Sequence, residues 1–422
     1  MKLIFKNVTV VNSDGREVRD VFVDGEKIVA IFDEGEDVRV IDGTGQFLLP
    51  GVIDAHVHFR EPGASHKETW ETGSKAAVLG GVTTVLDMPN NNPAITTMEH
   101  LQGKRDLVKG RSYCNYGFHF GGSGNFAALE ELEGSPAVKV YMGASTGDLL
   151  VDEPTAWEKI FEICERKNLP VIVHAENDDR IRERAKEFTV HTEIRDCECA
   201  RIATSAAVAL REKIGNKLHI AHMSCKEEVE IVRANKNENL SCEVCPHHLF
   251  FTADEMKDGF LKMNPPLRAQ EDVDALWEAM KDGTVNCIAT DHAPHTVEEK
   301  GVAGPPSGVP GVEFSLPLML DAVNAGRLEL EDLARLMGSE PARIFGLSGR
   351  GVVREGMVAD LVLVDMDLSR VVSKDLVQSK CGWSPYEGRH LKGWPVMTIV
   401  NGEVVMEGGE LAEDLTKVGK LL

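Results

Sequence analysis

Positive charge is scarce in this chain, long apolar runs are absent, and no glycine-rich loop follows its first core strand. There are 46 Lys and Arg against 68 Asp and Glu, a formal net charge of −22 over 422 residues. That balance argues against nucleic acid and anionic membranes as partners. It leaves room for a small anionic substrate, because screening confines the distant field to about 8 Å and local cations then decide. No stretch approaches the roughly 20 apolar residues of a membrane span. The opening MKLIFKNVTV alternates like a strand and lacks the apolar run of a signal peptide. The nine cysteines are scattered and odd in number. Together these features set the expectation of a reduced, cytoplasmic protein. Cys242 and Cys245 have CxxC spacing, but LSCEVCPHHL reads as a strand, where positions i and i+3 face opposite ways. Buried structural thiols are the reading there.

What is present falls into two rhythms. Residues 1–50 alternate in short stretches separated by turns at Asp14-Gly15 and Asp24-Gly25, and ADLVLVDMD and VMTIVNGEVV repeat that character near the other end. The expectation is a small β-sandwich domain built from 1–50 plus 351–422. Between them, eight short apolar runs alternate with helical stretches such as PTAWEKIFEICERKN: VIDAHVHF, TTVLDMP, YCNYGFHFG, AVKVYMG, PVIVHAE, KLHIAHMS, LSCEVCPHHL and NCIATDHAPH. Eight such units predict an α/β fold, a (β/α)8 TIM-like barrel over 51–350. A doubly wound open sheet is the weaker alternative, given the missing nucleotide loop.

Polar residues collect at the C-terminal ends of these runs, the rim where barrel active sites lie. HVHFR puts His56, His58 and Arg60 on one face of a strand with Asp54 a step deeper. An HxH pair alone is weak. Its force comes from convergence with His174 in VIVHAEN, His222 in HIAHMS and Asp291 in ATDHAPH. Such nitrogen and carboxylate donors suit zinc, with manganese, iron or cobalt as lesser candidates. Lys139 sits in the apolar run AVKVYMG, where a charged amine is costly. It either meets a carboxylate or carries a carbamate formed with carbon dioxide, an anion able to bridge two metals. His247 and His248 would face opposite sides of a regular strand, so at most one looks inward, as a supporting group rather than a ligand. His66, His100, His119, His191, His219 and His390 read as surface or core histidines.

DAHVHFREPG, DMPNNNPA, VIVHAEN, HIAHMS, EVCPHHL, KMNPPLR and ATDHAPH occur in this order. On these segments the chain resembles, essentially end to end, the dihydroorotases of the amidohydrolase superfamily, close to the class I type. The resemblance implies the barrel with its two-ended β domain. It implies two Zn2+ per subunit, with His56 and His58 on one, His174 and His222 on the other, carboxylated Lys139 between them and Asp291 completing the first shell. Some members lack the lysine and use an aspartate near strand four instead; Lys139 is present here, which favours the two-metal form over Asp148 as its substitute. It implies that Arg60, Asn90 and His295 hold an exocyclic carboxylate, that Asn264 and the backbone of 305–311 contact the ring, and that Asp291 shuttles a proton. The implied reaction is reversible closure of N-carbamoyl-L-aspartate to L-dihydroorotate in pyrimidine synthesis. A homodimer and association with aspartate transcarbamoylase are partners known from such barrels; neither follows from these residues. One departure stands out: the family often has Arg-Pro followed by acidic residues after strand five, and here the chain reads EIRDCECA. The loop ASTGDLLVDE, 144–153, is a candidate lid, with Ser145 or Thr146 donating to substrate. The rivals are a hydantoinase or allantoinase, which would not need Arg60, and a non-catalytic assembly partner, which would be expected to have lost ligands.

Overall fold

The computed structural model describes residues 2–32, 38–143, 149–151, 153–412 and 417–422. Eight short parallel strands form the centre: β1 (Val52–Val57), β2 (Val82–Asp87), β3 (Asn115–Phe118), β4 (Val138–Tyr141), β5 (Val171–His174), β6 (Leu218–Ile220), β7 (Leu240–Val244) and β8 (Cys287–Ile288). Every residue of these strands is buried. That is the signature of parallel strands covered on both faces, and it explains why they read as apolar runs rather than alternations. β1–β3 pair in sequence, and β4 through β8 pair in sequence. Phe120–Gly121, just past β3, pairs with β4 and joins the two arcs. His58 N–H donates to the His292 carbonyl at 2.8 Å, so β8 meets β1 and the barrel closes.

The strands at the two ends of the chain do form one sheet. Leu361–Val371 pairs antiparallel with Phe47–Pro50, which pairs with Lys2–Asn12. The sheet has nine strands and its own core, including Leu3, Phe5, Val8, Val10, Leu361 and Ile399. Leu3 and Phe5 keep one parity, Val8 and Val10 the other. A bulge between Phe5 and Val8, with Asn7 at φ 54°, shifts the face.

Segment 246–250 departs from expectation. β7 stops at Val244, and Pro246–Phe250 is a helix with Cys245 as its N-cap. Pro246 sets the first helical φ and cannot donate to the sheet, so the strand ends there. His247 and His248 are therefore not on opposite faces of a strand. Both are buried, with ring centroids 4.3 Å apart, and His248 Nε2 bonds the Pro265 carbonyl at 3.0 Å.

Glu313, just beyond the barrel strands, ties them to the C-terminal segment. Both of its oxygens accept the Gln378 N–H at 3.0 Å. Burial pushes its carboxyl up to about 8 from 4.5. The raised value favours the protonated form in the folded state. Its stabilising contribution is therefore full below about 4.5 and is lost as pH rises through about 8. Glu313→Gln cannot titrate and should gain thermal stability relative to wild type between pH 4.5 and 8. A difference in melting midpoint that stays flat across that range would contradict this.

Candidate active site

The residues singled out from four strands and the β8 loop do meet. His56, His58, Lys139, His174, His222 and Asp291 line one cavity of about 30 Å³, with Arg60, Asn90 and Asn264 at its wall. A second cavity of about 570 Å³ adjoins it through His58, Arg60 and Asn90, a volume suited to admitting a small molecule. His56, His222 and Asp291 place their donor atoms within 4.8 Å of one another. Asp291 Oδ1 lies 2.9 Å from His58 Nε2 and 3.4 Å from His56 Nε2. His174 Nδ1 lies 3.0 Å from His222 Nε2.

Three of these residues hold backbone angles that side chains disfavour. Arg60 has φ 63°, His222 φ 35° and Asp291 φ 47°. Each stands just beyond a strand end, where the chain turns sharply and aims the side chain across the barrel mouth. Asp54 supports one of them: its carboxylate accepts the Thr290 N–H at 3.0 Å and the Thr290 hydroxyl at 2.6 Å, pinning the β8 end to β1.

The imidazoles are oriented from behind, by Glu243 and Glu176, which the sequence did not single out, and by Asn90. Glu243 on β7 takes His56 Nδ1 at 2.5 Å, His219 Nε2 at 3.0 Å and the His222 N–H at 3.2 Å. Glu176 accepts His174 Nε2 at 2.8 Å and pairs with Arg195. Asn90 Oδ1 lies 2.6 Å from His58 Nδ1. A carboxylate or amide on one ring nitrogen fixes the tautomer and presents the other to a cation. Burial alone would raise Glu243, but His56 and His219 outweigh it and hold its carboxyl well below the usual range. A signal for both was available. Glu176 stands two residues beyond His174, and Glu243 is a buried acid in an apolar strand, as anomalous there as Lys139 in its own.

Lys139 is fully buried, and among the described residues Nζ has no hydrogen-bond partner. Desolvation draws its pKa down to about 8, with Glu243 and Asp291 opposing. The expected carboxylate partner is therefore not in hydrogen-bonding contact among the described residues. His222 Nδ1 is likewise buried and unpartnered. These orphaned groups and the three-donor cluster fit a bound cation.

Arg60 is 7% exposed, its Nε donating to the Pro294 carbonyl at 3.1 Å and its Nη2 3.3 Å from His295 Nε2. No carboxylate pairs with it among the described residues. Asp87 holds the turn beneath by accepting the Phe59 N–H at 2.7 Å, and it is itself paired with buried Lys104. Asn264 Oδ1 accepts the Ser307 hydroxyl at 3.1 Å, joining it to the 305–311 loop. His295 stands behind Arg60, with Nδ1 3.1 Å from Lys67 Nζ. The proposed lid falls mainly on 144–148 and 152, so it lies outside the described residues, as do Ser145, Thr146 and Asp148.

Comparisons with known proteins place this site in a family. The model of the amidohydrolase family matches residues 47–405. The chain belongs to the amidohydrolase family. Among curated relatives, the dihydroorotase of Halobacterium salinarum is 39% identical over 411 residues, spanning 94% of this chain and 95% of that protein. The dihydroorotase of Pyrococcus abyssi is 41% identical over 370 residues, 87% and 85% of the two chains. Among solved amidohydrolase folds, L-hydantoinase from Arthrobacter aurescens superposes with a TM-score of 0.94 at 31% identity, covering 99% of this chain and 98% of its own. Dihydropyrimidinase from Brevibacillus agri gives 0.92 at 28%, covering 100% and 98%. No helix among the described residues is long and apolar enough to cross a membrane.

Proposed function

We infer that this amidohydrolase is a zinc-dependent dihydroorotase of the cytoplasm, interconverting N-carbamoyl-L-aspartate and L-dihydroorotate for pyrimidine synthesis. The observation that carries the substrate choice is Arg60: a buried guanidinium at the cavity wall without a carboxylate partner among the described residues. Its planar fork suits the exocyclic carboxylate of dihydroorotate. Hydantoin and allantoin carry no such group, so a hydantoinase would gain nothing from burying this charge.

His56, His58 and Asp291 would hold one zinc and His174 and His222 a second, with the carbamate of Lys139 as a further ligand. The unpartnered Lys139 amine supports this, because a pKa near 8 leaves a neutral fraction able to add carbon dioxide. Zinc in such a site polarises a carbonyl and lowers the pKa of water toward 7. The protein's own groups do the rest. Arg60 fixes the substrate carboxylate, Asn264 and the Ser307–Gly308 backbone face the ring, and Asp291 takes the proton of the attacking water and returns it to the leaving ring nitrogen. In ring closure the same proton moves the other way.

The test compares dihydroorotate, hydantoin and allantoin as substrates before and after chelation. Turnover of dihydroorotate alone, lost on chelation and restored by Zn2+, is expected. A preference for hydantoin or allantoin, or full activity after every divalent ion is removed, would overturn the reading.

A further inference from the structure

The stretch EIRDCECA, where the chain departs from the pattern it resembles, lies outside the catalytic cavity and brings a second donor cluster together. Cys197 is the first residue of the helix Cys197–Ile214, and Cys225 is the N-cap of Lys226–Ala234. These two helices pack against each other. Their N-termini converge so that Cys197 Sγ, Cys225 Sγ and a Glu227 carboxylate oxygen lie within 4.8 Å of one another. Cys225 Sγ is 3.9 Å from the Cys197 carbonyl.

Three further observations mark this cluster as more than a chance approach of thiols. Glu227 Oε2 is buried and has no hydrogen-bond partner among the described residues, an arrangement that leaves a desolvated acceptor unsatisfied. Of the nine cysteines, eight are buried and only Cys197 is partly exposed, so this is the thiol through which an ion can enter. Contact with the Cys225 thiol, with Arg268 adding to the effect, holds Cys197 below its usual value, while the same contact and burial push Cys225 well above it, its Sγ donating to Glu228 Oε2 at 3.3 Å. The helix N-termini add partial positive charge that favours thiolates.

We propose that Cys197, Cys225 and Glu227 form a binding site for a single thiophilic divalent cation of the zinc type, separate from the catalytic cavity. Two thiolates and a carboxylate place three negative charges together. A divalent ion beside the buried Arg268 guanidinium offsets them, with Cys225 releasing to solvent on binding the proton it otherwise donates to Glu228. The donor set leaves a fourth tetrahedral position for water. Binding there clamps the two helix N-termini that follow the strands carrying His174 and His222.

Cd2+ is the probe, added to the reduced holoprotein, with thiolate-to-metal charge-transfer absorption and elemental analysis as readouts. The wild type should show the band and bind one equivalent more than the Cys197→Ser/Cys225→Ser double variant, which loses both. Serine is a good N-cap at 225 and nearly isosteric with cysteine at 197, so that variant should fold and keep its hydrolytic activity. Cys199→Ser should retain the band. Glu227→Gln should keep it with affinity lowered at least tenfold. A band that persists in the double variant, or equal metal content in the two proteins, overturns the site. Unchanged affinity in Glu227→Gln overturns the carboxylate's part in it.

Discussion

Asp291→Asn is expected to lower dihydroorotate turnover by roughly 10²- to 10⁴-fold, the range seen when a positioned general acid–base is removed. The substitution keeps the size and planarity of the side chain and removes its basicity. The wild-type carboxylate is well placed for the task. Burial would raise its pKa, but His56 and His58 more than offset this and hold it below the ordinary carboxylate range, so it stands ionised and ready to accept a proton. It is fixed on both sides: His58 Nε2 touches Oδ1, and the Asp54 carboxylate holds the preceding Thr290. Because Asp291 is also a proposed zinc ligand, elemental analysis must accompany the kinetics. A variant with its full metal content and wild-type kcat would remove Asp291 from the proton path. Loss of metal together with activity would assign it to ligation.

Arg60→Met should act differently. Methionine fills much of the aliphatic volume, so the fold and the metals should be retained, while the fork that meets the substrate carboxylate is gone. Deleting one member of a buried charge-assisted pair costs about 2–5 kcal/mol, or roughly 30- to 4,000-fold in kcat/KM. The loss should be confined to substrates that carry the carboxylate. Residual hydrolysis of dihydrouracil or hydantoin, which lack it, should be unaffected or improved. Arg60→Lys should recover little, since a point charge does not reproduce two parallel N–H donors. Equal losses on both kinds of substrate would make Arg60 a structural residue, with its bond to the Pro294 carbonyl as its role.

That contrast also bears on the comparisons. The backbone superposes on hydantoinases and a dihydropyrimidinase, while the curated relatives quoted are dihydroorotases. Backbone geometry follows from barrel closure, which these enzymes share. Substrate choice rests on a few side chains at the rim, which a superposition of main chains does not weigh.

The sequence by itself determined the architecture and most of the first ring of the site. Buried parallel strands must be short apolar runs, and side chains alternate along a strand. His56, His58 and Arg60 could therefore be placed on one face before any coordinate was known. The same rule placed His174, His222 and Asp291 at strand ends, where the barrel mouth collects them. Only the tertiary structure decided which groups stand behind them. Glu243 reaches His56 and His219 because β7, β6 and β1 curve round a closed barrel, and a period of two along one strand says nothing about its neighbours across the interior. The helix at Pro246 was likewise hidden, since LSCEVCPHHL is equally apolar as strand or helix, and a proline's missing donor became decisive only where β7 ran out of partners. Cys197 and Cys225, 28 positions apart, became neighbours through the packing of two helices. Local chemistry is written in the chain; adjacency between distant segments is written in the way the layers close.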